Sequence, residues 1–256
     1  MWQDSDWYYV QARLQARHGE RLQERDWLVL EAAQSLEHYL ERARSTSLRR
    51  FTEHLSGQLS GHAIERALRT DWRAYVSEVA AWVPRAWQPS VMWVTYLPDL
   101  PVLEHLLAGQ IPAWAREDPV YAPLAGIDVQ VRGSFPMGTP LYPLAHSRHS
   151  TTTVPALWLR HWRALWPSAS ASQLQGLDDL VASVISRRGQ SSGTTDAGSV
   201  RRADLLRAVV RLFRRHGVTP VAMFSSLLLL ALDLERLRGG LVRRCLFVSE
   251  RPRETT

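Results

Sequence analysis

Seven apolar residues, Ile64, Leu68, Trp72, Tyr75, Val79, Trp82 and Val83, stand at offsets 0, 4, 8, 11, 15, 18 and 19 along the chain. A helix brings that set onto one face, whereas an extended strand scatters it over both. The spacing therefore predicts a long amphipathic helix over residues 62–83, stopped by Pro84, which has no amide hydrogen to continue the ladder. A stripe that wide has to be buried against other apolar helical faces.

The flanking sequence supplies them. Trp7, Val10 and Leu14 recur at helical spacing after Asp4 or Ser5 as a cap, and His18-Gly19 ends that helix. A second helix is expected over residues 24–43, with Trp27, Leu28, Leu36 and Leu40 on its apolar side. Ser45-Thr46-Ser47 interrupts, a short helix carries Leu48, Phe51 and Leu55, and a Gly-bounded break precedes the long helix. Val91 to Tyr96 would suit a strand by composition but is read as helical, with Asp99-Leu100-Pro101 as cap and first turn of a helix ending at Gly109.

The stretch 111–155 holds Pro112, Pro119, Pro123, Pro136, Pro140, Pro143 and Pro155, too many for long helices. Within it Ile127-Asp128-Val129-Gln130-Val131 alternates like a short strand. Helices resume around Leu157, Trp158, Trp162 and Leu165, and again over 174–187, before a Gly/Ser/Thr linker at 189–198. In the next helix Leu205, Leu206, Val209, Val210, Leu212 and Phe213 form the inner face, and Arg207, Arg211, Arg214 and Arg215 the outer. Thr219 as cap and Pro220 as first helical residue open the last helix, which Gly239-Gly240 is expected to kink or divide. The reading is an all-α, multi-helix chain: a lobe over 1–110, a Pro-rich connection over 111–155 and a second lobe over 156–256.

Charge narrows the partners without choosing one. All 31 basic side chains are Arg, with no Lys and no Asn in the chain, a pattern that a GC-rich coding sequence produces by itself. The net charge of +6 and pI of 10.1 favour acidic partners: nucleic acid, anionic lipid or an acidic protein face. A single cysteine, Cys245, excludes an internal disulfide and thiolate-clustered zinc, and reads as a core or interface thiol. The acidic start, Met1-Trp2-Gln3-Asp4-Ser5-Asp6, is unlike a signal peptide, and the most apolar run, 221–232, is well short of the roughly 20 residues a bilayer requires. A cytoplasmic location is expected, at most peripheral on the inner face of a membrane.

Candidate chemistry is sparse. His146 and His149 stand three apart with His161 downstream, a conceivable zinc set, but Arg148 lies between them and no carboxylate follows at a useful spacing. Gly133-Ser134 suggests a nucleotidyltransferase opening but lacks paired acids, and Asp178-Asp179 is read as the first turn of a helix. There is no nucleophile elbow, dinucleotide turn or phosphate loop, and without Lys neither a Schiff base nor a P-loop lysine can form. No catalytic residue, cofactor site or metal site is assigned. The Arg stripe at 207, 211, 214 and 215 has the geometry for phosphate contacts, though a solvated face of an Arg-biased protein is the favoured account. Eleven Trp residues fall mostly on apolar faces and are read as core first.

Two segments carry a likeness. Residues 7–22, Trp-Tyr-Tyr-Val-Gln-Ala-Arg-Leu-Gln-Ala-Arg-His-Gly-Glu-Arg-Leu, place Tyr8, Tyr9, Ala12, Arg13, Arg17 and Leu22 in a helix that runs into repeated arginines. Near the other end an apolar run up to Leu232 leads into Asp233, Glu235, Arg236, Arg238, Arg243 and Arg244. Both resemble the C-subunit family of V-type and archaeal-type ATPases, relatives of the eukaryotic d-subunit, as does the helix over 62–83 followed by a Leu-rich one. The resemblance implies a funnel-like helical body of two or three lobes and a non-catalytic role, coupling the central rotor stalk to the membrane proteolipid ring during proton or sodium transport. It implies no cofactor and no small-molecule substrate, possible contact with anionic lipid, and partner contacts at Tyr8, Arg13, Arg17, Arg236, Arg243 and Arg244. The alternative from composition is an Arg-rich helical nucleic-acid-binding protein.

Overall fold

Ser60 opens the long amphipathic helix: its side-chain oxygen accepts a hydrogen bond from the Ala63 amide at 3.2 Å, and the helix then runs Gly61–Trp82. In the computed structural model, which describes residues 2–107, 110, 113–116, 118, 120–122, 141–145, 152–188 and 195–249, every described element is helical and the chain is all-α. In order these are α1 (Trp2–Gly19), α2 (Glu24–Glu31), α3 (Leu36–Arg44), α4 (Arg49–Thr52), α5 (Gly61–Trp82), α6 (Gln88–Trp93) and α7 (Leu100–Leu107). Then follow α8 (Tyr142–Ala145), α9 (Val154–Ala164), α10 (Ala171–Arg188), α11 (Thr195–Arg215) and α12 (Pro220–Ser249), with short 3₁₀ helices at Arg85–Trp87, Val94–Asp99 and Ala113–Arg116. The strand-like Ile127 to Val131 and the Gly133-Ser134 pair lie outside the described residues.

Two compact units divide the chain, one of residues 1–85 with 168–256 and one of residues 86–167. In the first unit α12 is the spine, packed by α1, α3, α5, α10 and α11. That many neighbours explain why Val221, Met223, Phe224, Leu227, Leu229 and Leu237 are all buried although they point around the helix rather than along one stripe. Trp72, Tyr39, Leu14 and Ile64 complete this core, each almost wholly enclosed. In the second unit α6 and α9 are joined through their indoles. Trp93 Nε1 donates to the Trp158 carbonyl at 3.1 Å and Trp162 Nε1 to the Ser90 carbonyl at 3.1 Å, while Trp158 and Trp162 stack at 5.7 Å. Every Trp from Trp7 onward is buried or half-buried, so these indoles serve packing rather than a Trp-rich surface.

Several local expectations change. The helix expected over 24–43 is two, because Ser35 accepts from the His38 amide at 3.2 Å and starts a new one. The first helix begins at Trp2, ahead of the expected caps Asp4 and Ser5. Asp178 and Asp179 lie well inside α10 rather than in its first turn. The helix starts earlier, at a reciprocal pair in which the Gln173 amide donates to Ser170 Oγ at 3.2 Å and the Ser170 amide donates to Gln173 Oε1 at 3.1 Å. The linker prediction overlaps α11, which starts at Thr195.

Between α11 and α12 the residue with positive φ is Val218, at 62°, not Gly217. Its amide is held at 3.1 Å by Gln11 Oε1 of α1, a tertiary contact that stabilises a backbone region costly for a β-branched residue. Thr219 donates its hydroxyl to the His216 carbonyl at 2.6 Å, and Pro220 is the first helical residue as expected.

Gly239 and Gly240 do not divide α12, which continues through them to Ser249. Gly240 is small because Tyr39 of α3 lies against it, so that a Cβ there would come within 2.6 Å of the phenol Cζ. Gly239 faces open space.

Candidate partner interface

Two arginine clusters in the first unit hold nearly all the residues singled out by resemblance. The first is built on α1, where Tyr9, Arg13 and Arg17 are four apart and share a face. On α5, Tyr75, Glu78 and Trp82 repeat the same geometry at intervals of three and four. Facing each other, the two stripes interleave cation and ring. Arg13 lies 5.0 Å from the Tyr9 centroid and 4.8 Å from Trp82, while Arg17 lies 4.6 Å from Trp82 and 4.6 Å from Tyr75. Arg50, next to Phe51 on α4, closes the far end at 5.1 Å from Tyr75.

One carboxylate serves this ladder. Glu78 accepts from Arg17 Nη2 at 2.6 Å through one oxygen and from Arg50 Nη1 at 2.5 Å through the other. Burial pushes the Glu78 carboxyl up, but the two guanidinium hydrogen bonds outweigh it and hold the group below its usual range. For Arg17 burial works against the charge, and the Tyr75 and Glu78 contacts more than restore it. Its Nη1 is buried without a hydrogen bond, and the flanking rings provide the electrostatic substitute. Arg13 is exposed, and among the described residues no carboxylate reaches it. Tyr8 is 65% exposed on the same helix.

The second cluster ties α12 to α2. Arg236 lies 4.8 Å from the Trp27 centroid and is bidentate to Glu31 at 2.6 and 2.9 Å and to Glu24 at 2.7 and 2.9 Å. Burial disfavours its charge, yet the two carboxylates hold it well above an ordinary arginine. Arg21, just past the end of α1, grips Asp233 at 2.8 and 2.9 Å, and burial still leaves that carboxyl above its usual range.

Arg244 is buried, donating to the carbonyls of Ala33 at 2.8 Å, Glu31 at 2.6 Å and Gly240 at 2.8 Å, with Tyr39 4.1 Å beneath it. It thereby satisfies carbonyls at the end of α2, which is the tertiary reason that α2 stops before α3. Tyr39 is enclosed enough that burial raises its phenol to about 12, and its hydroxyl makes no hydrogen bond.

The structure thus separates the residues that the resemblance grouped. Tyr8 and Arg13 are exposed on α1 and Arg17 is half-buried beside them. Arg243 is exposed on α12, whereas Arg236 and Arg244 are engaged inside the chain. Tyr9, Trp82, Glu78 and Arg50 were not singled out as site residues, although the two matching stripes, 9, 13, 17 and 75, 78, 82, were readable as helical faces. The pairing between them was not.

The other candidates are placed plainly. His146 and His149 lie outside the described residues, while His161 packs against Trp93 at 4.4 Å and burial lowers its pKa. Among the described residues no group of His, Cys, Asp and Glu could hold a metal ion. Cys245 is half-buried, its thiol donating to the Leu59 carbonyl at 3.4 Å. Arg207, Arg211, Arg214 and Arg215 are all exposed on α11, with Arg207 paired to Asp204. No helix of the described residues is long and apolar enough to cross a membrane. Compared with known proteins, the chain matches no family model, no curated protein and no solved structure.

Proposed function

We propose that the chain is a non-catalytic coupling component of a rotary V/A-type ATPase, joining the rotor shaft to the membrane proteolipid ring and held at the inner, cytoplasmic face of the membrane. One observation carries the reading: α1, α5 and α12, the long helices of the segments that resemble the C-subunit family, are tied to one another in one compact unit. Arg21, at the end of α1, binds Asp233 of α12, Arg17 of α1 binds Glu78 of α5, and Arg238 of α12 binds Glu65 of α5 at 2.9 Å. A part that passes torque has to resist shear between its helices. Charge pairs across helices far apart in sequence, those of Arg17 and Arg21 part-buried and that of Arg17 backed by aromatic rings, supply that resistance where ordinary surface pairs contribute little.

The test is co-purification. The tagged full chain, recovered from gently solubilised membranes of its own host, should carry identified stalk and proteolipid components in stoichiometric amounts. A chain recovered as a monomer, with both classes of component left behind, overturns the assignment.

A second reading has one observation in its favour, the exposure of all four arginines of the α11 stripe. It predicts retention on DNA or RNA with a steep salt dependence. Retention unaltered by Ala at Arg207, Arg211 and Arg214 removes that stripe from the argument.

A further inference from the structure

We propose that the open end of the α1–α5 ladder, formed by Tyr9, Arg13 and Trp82, is a docking site for a glutamate or aspartate side chain carried on an apolar segment of a protein partner. The inference does not depend on the rotary-ATPase assignment, because it uses only the composition and geometry of the ladder.

Charge balance is the first argument. Three guanidiniums, Arg13, Arg17 and Arg50, share one carboxylate that hydrogen-bonds to the ladder, Glu78, and it sits at the Arg17–Arg50 end. Other acids near that end, Asp71 and Glu53, act on Arg50 and its neighbourhood: Asp71 pairs with His54 at 3.3 Å and Glu53 with Arg49 at 3.4 Å. The Arg13 end has no equivalent among the described residues. Glu78 also shows the chemistry that this frame accepts, a carboxylate whose two oxygens each take a donor from a different guanidinium. A carboxylate from outside would do the same for Arg13.

The rings supply the second argument. A guanidinium stacked between Tyr9 and Trp82 is restrained before any partner arrives, so less side-chain entropy is lost when it binds. Tyr9 is 49% exposed and Trp82 half-buried, which leaves apolar surface beside the cation for the partner's own apolar side chains. Tyr, Trp and Arg together are the residue types that dominate binding energy at protein interfaces.

The surroundings choose the class of partner. A nucleic-acid backbone or an anionic membrane needs a row of cations. Beside the ladder the exposed Ala12, Gln15 and Ala16 on α1 and Ala74, Ser77 and Ala81 on α5 are neutral, and Arg85, just past the end of α5, adds a single cation rather than a row. Asp6 on α1 and Glu20 just past its end, both exposed, repel a polyanion further. A single carboxylate on an apolar segment meets only a small share of that repulsion, and the small side chains let its backbone come close.

The experiment titrates the full chain against a fluorescein-labelled synthetic peptide of repeating Leu and Glu, read by fluorescence anisotropy. The controls are the same peptide with Gln for Glu, a single-stranded oligonucleotide and phosphatidylserine vesicles. The Glu peptide should bind, and either Gln for Glu in the peptide or Arg13→Gln in the protein should weaken it about tenfold. Tyr9→Ala should weaken it several-fold, Glu78→Gln should tighten it, and Arg211→Gln with Arg214→Gln on α11 should leave it unchanged. Arg13 is exposed, so circular dichroism of Arg13→Gln should match the parent. Equal binding of the Glu and Gln peptides overturns the proposal, as do indifference to Arg13→Gln and dependence on Arg13 confined to the oligonucleotide or the vesicles.

Discussion

Arg236 and Arg13 each lie 4.8 Å from the centroid of an indole, Trp27 in one case and Trp82 in the other. Beyond that they differ in almost every respect. Arg236 has two carboxylates, both bidentate, and its side chain is only 16% exposed; Arg13 has none among the described residues and faces solvent. The difference shows that the aromatic floor alone assigns no role. A guanidinium over a ring becomes an internal fastener when carboxylates from another helix saturate it, and remains available to a partner when they do not.

The sharpest way to break this contrast is to attack the closed cluster. Arg244→Ala should destabilise the chain by about 3 kcal/mol, since it leaves buried carbonyls of Glu31 and Ala33 without a donor. Urea denaturation measures this, and a midpoint equal to that of the parent would show that the cluster is as dispensable as an exposed pair. The adjacent glycines come next and have opposite signs. Gly240→Ala forces Tyr39 away from its place beneath Arg244 and should cost about 2 kcal/mol, whereas Gly239→Ala meets open space and should gain roughly 0.5–1 kcal/mol from helix propensity. Thermal melts of the two variants, measured side by side, test whether the closed cluster has the close packing described.

Acid titration probes both clusters together. Hydrogen bonds from Arg236 hold Glu24 below the ordinary glutamate value; Glu78 is also held below it, because Arg50 and Arg17 outweigh burial. At these two glutamates, between the folded and unfolded values, the unfolded chain therefore binds more protons. These groups contribute stability that is whole above about pH 4.3 and is lost as pH falls through the folded values. Asp233 and Asp71, held up by burial, act in the opposite direction, so the loss is read as the difference between the parent and Glu78→Gln in melting temperature down the acid limb. There the variant should lack the Glu78 part of the slope and keep that of Glu24. The smallest stability effect belongs to the open cluster. Arg13→Gln should leave the melting temperature within the range of an ordinary surface change, about 0.5 kcal/mol, because Arg13 satisfies no buried group. A large loss there would make Arg13 a second Arg236.

Much of the helical plan was readable from periodicity: α5 and its end at Pro84, α1 with its break at Gly19, α9, the inner and outer faces of α11, and Pro220 at the start of α12. Some misreadings were local, as where the Ser170 and Gln173 cap starts α10 early and sets Asp178 and Asp179 inside it, and others were tertiary. The break between α2 and α3 has a local part, the Ser35 cap, and a part that no spacing shows, since Arg244, more than 200 residues away, takes carbonyls that a continuous helix would use. Gly239-Gly240 looked like a hinge, since the sequence does not show that Tyr39 lies against one of them. The candidate interface was half legible in the same sense. The stripes Tyr9, Arg13, Arg17 and Tyr75, Glu78, Trp82 follow from helical spacing, but that they interleave, and that Glu78 serves one end alone, required the helices to be placed.

The sequence by itself determined that this chain is helical, which faces of its helices are apolar, and that its positive charge resides wholly in arginine, because each depends on residue type and on spacings of three or four. Only the tertiary structure decided which arginines are fasteners and which are open to a partner. Arg236 meets Glu31 across 205 residues and Arg17 meets Glu78 across 61, and no local rule fixes a partner at such separations. With arginine as the sole cation at every basic position, residue type could not distinguish the roles. Burial and the nearest carboxylate did.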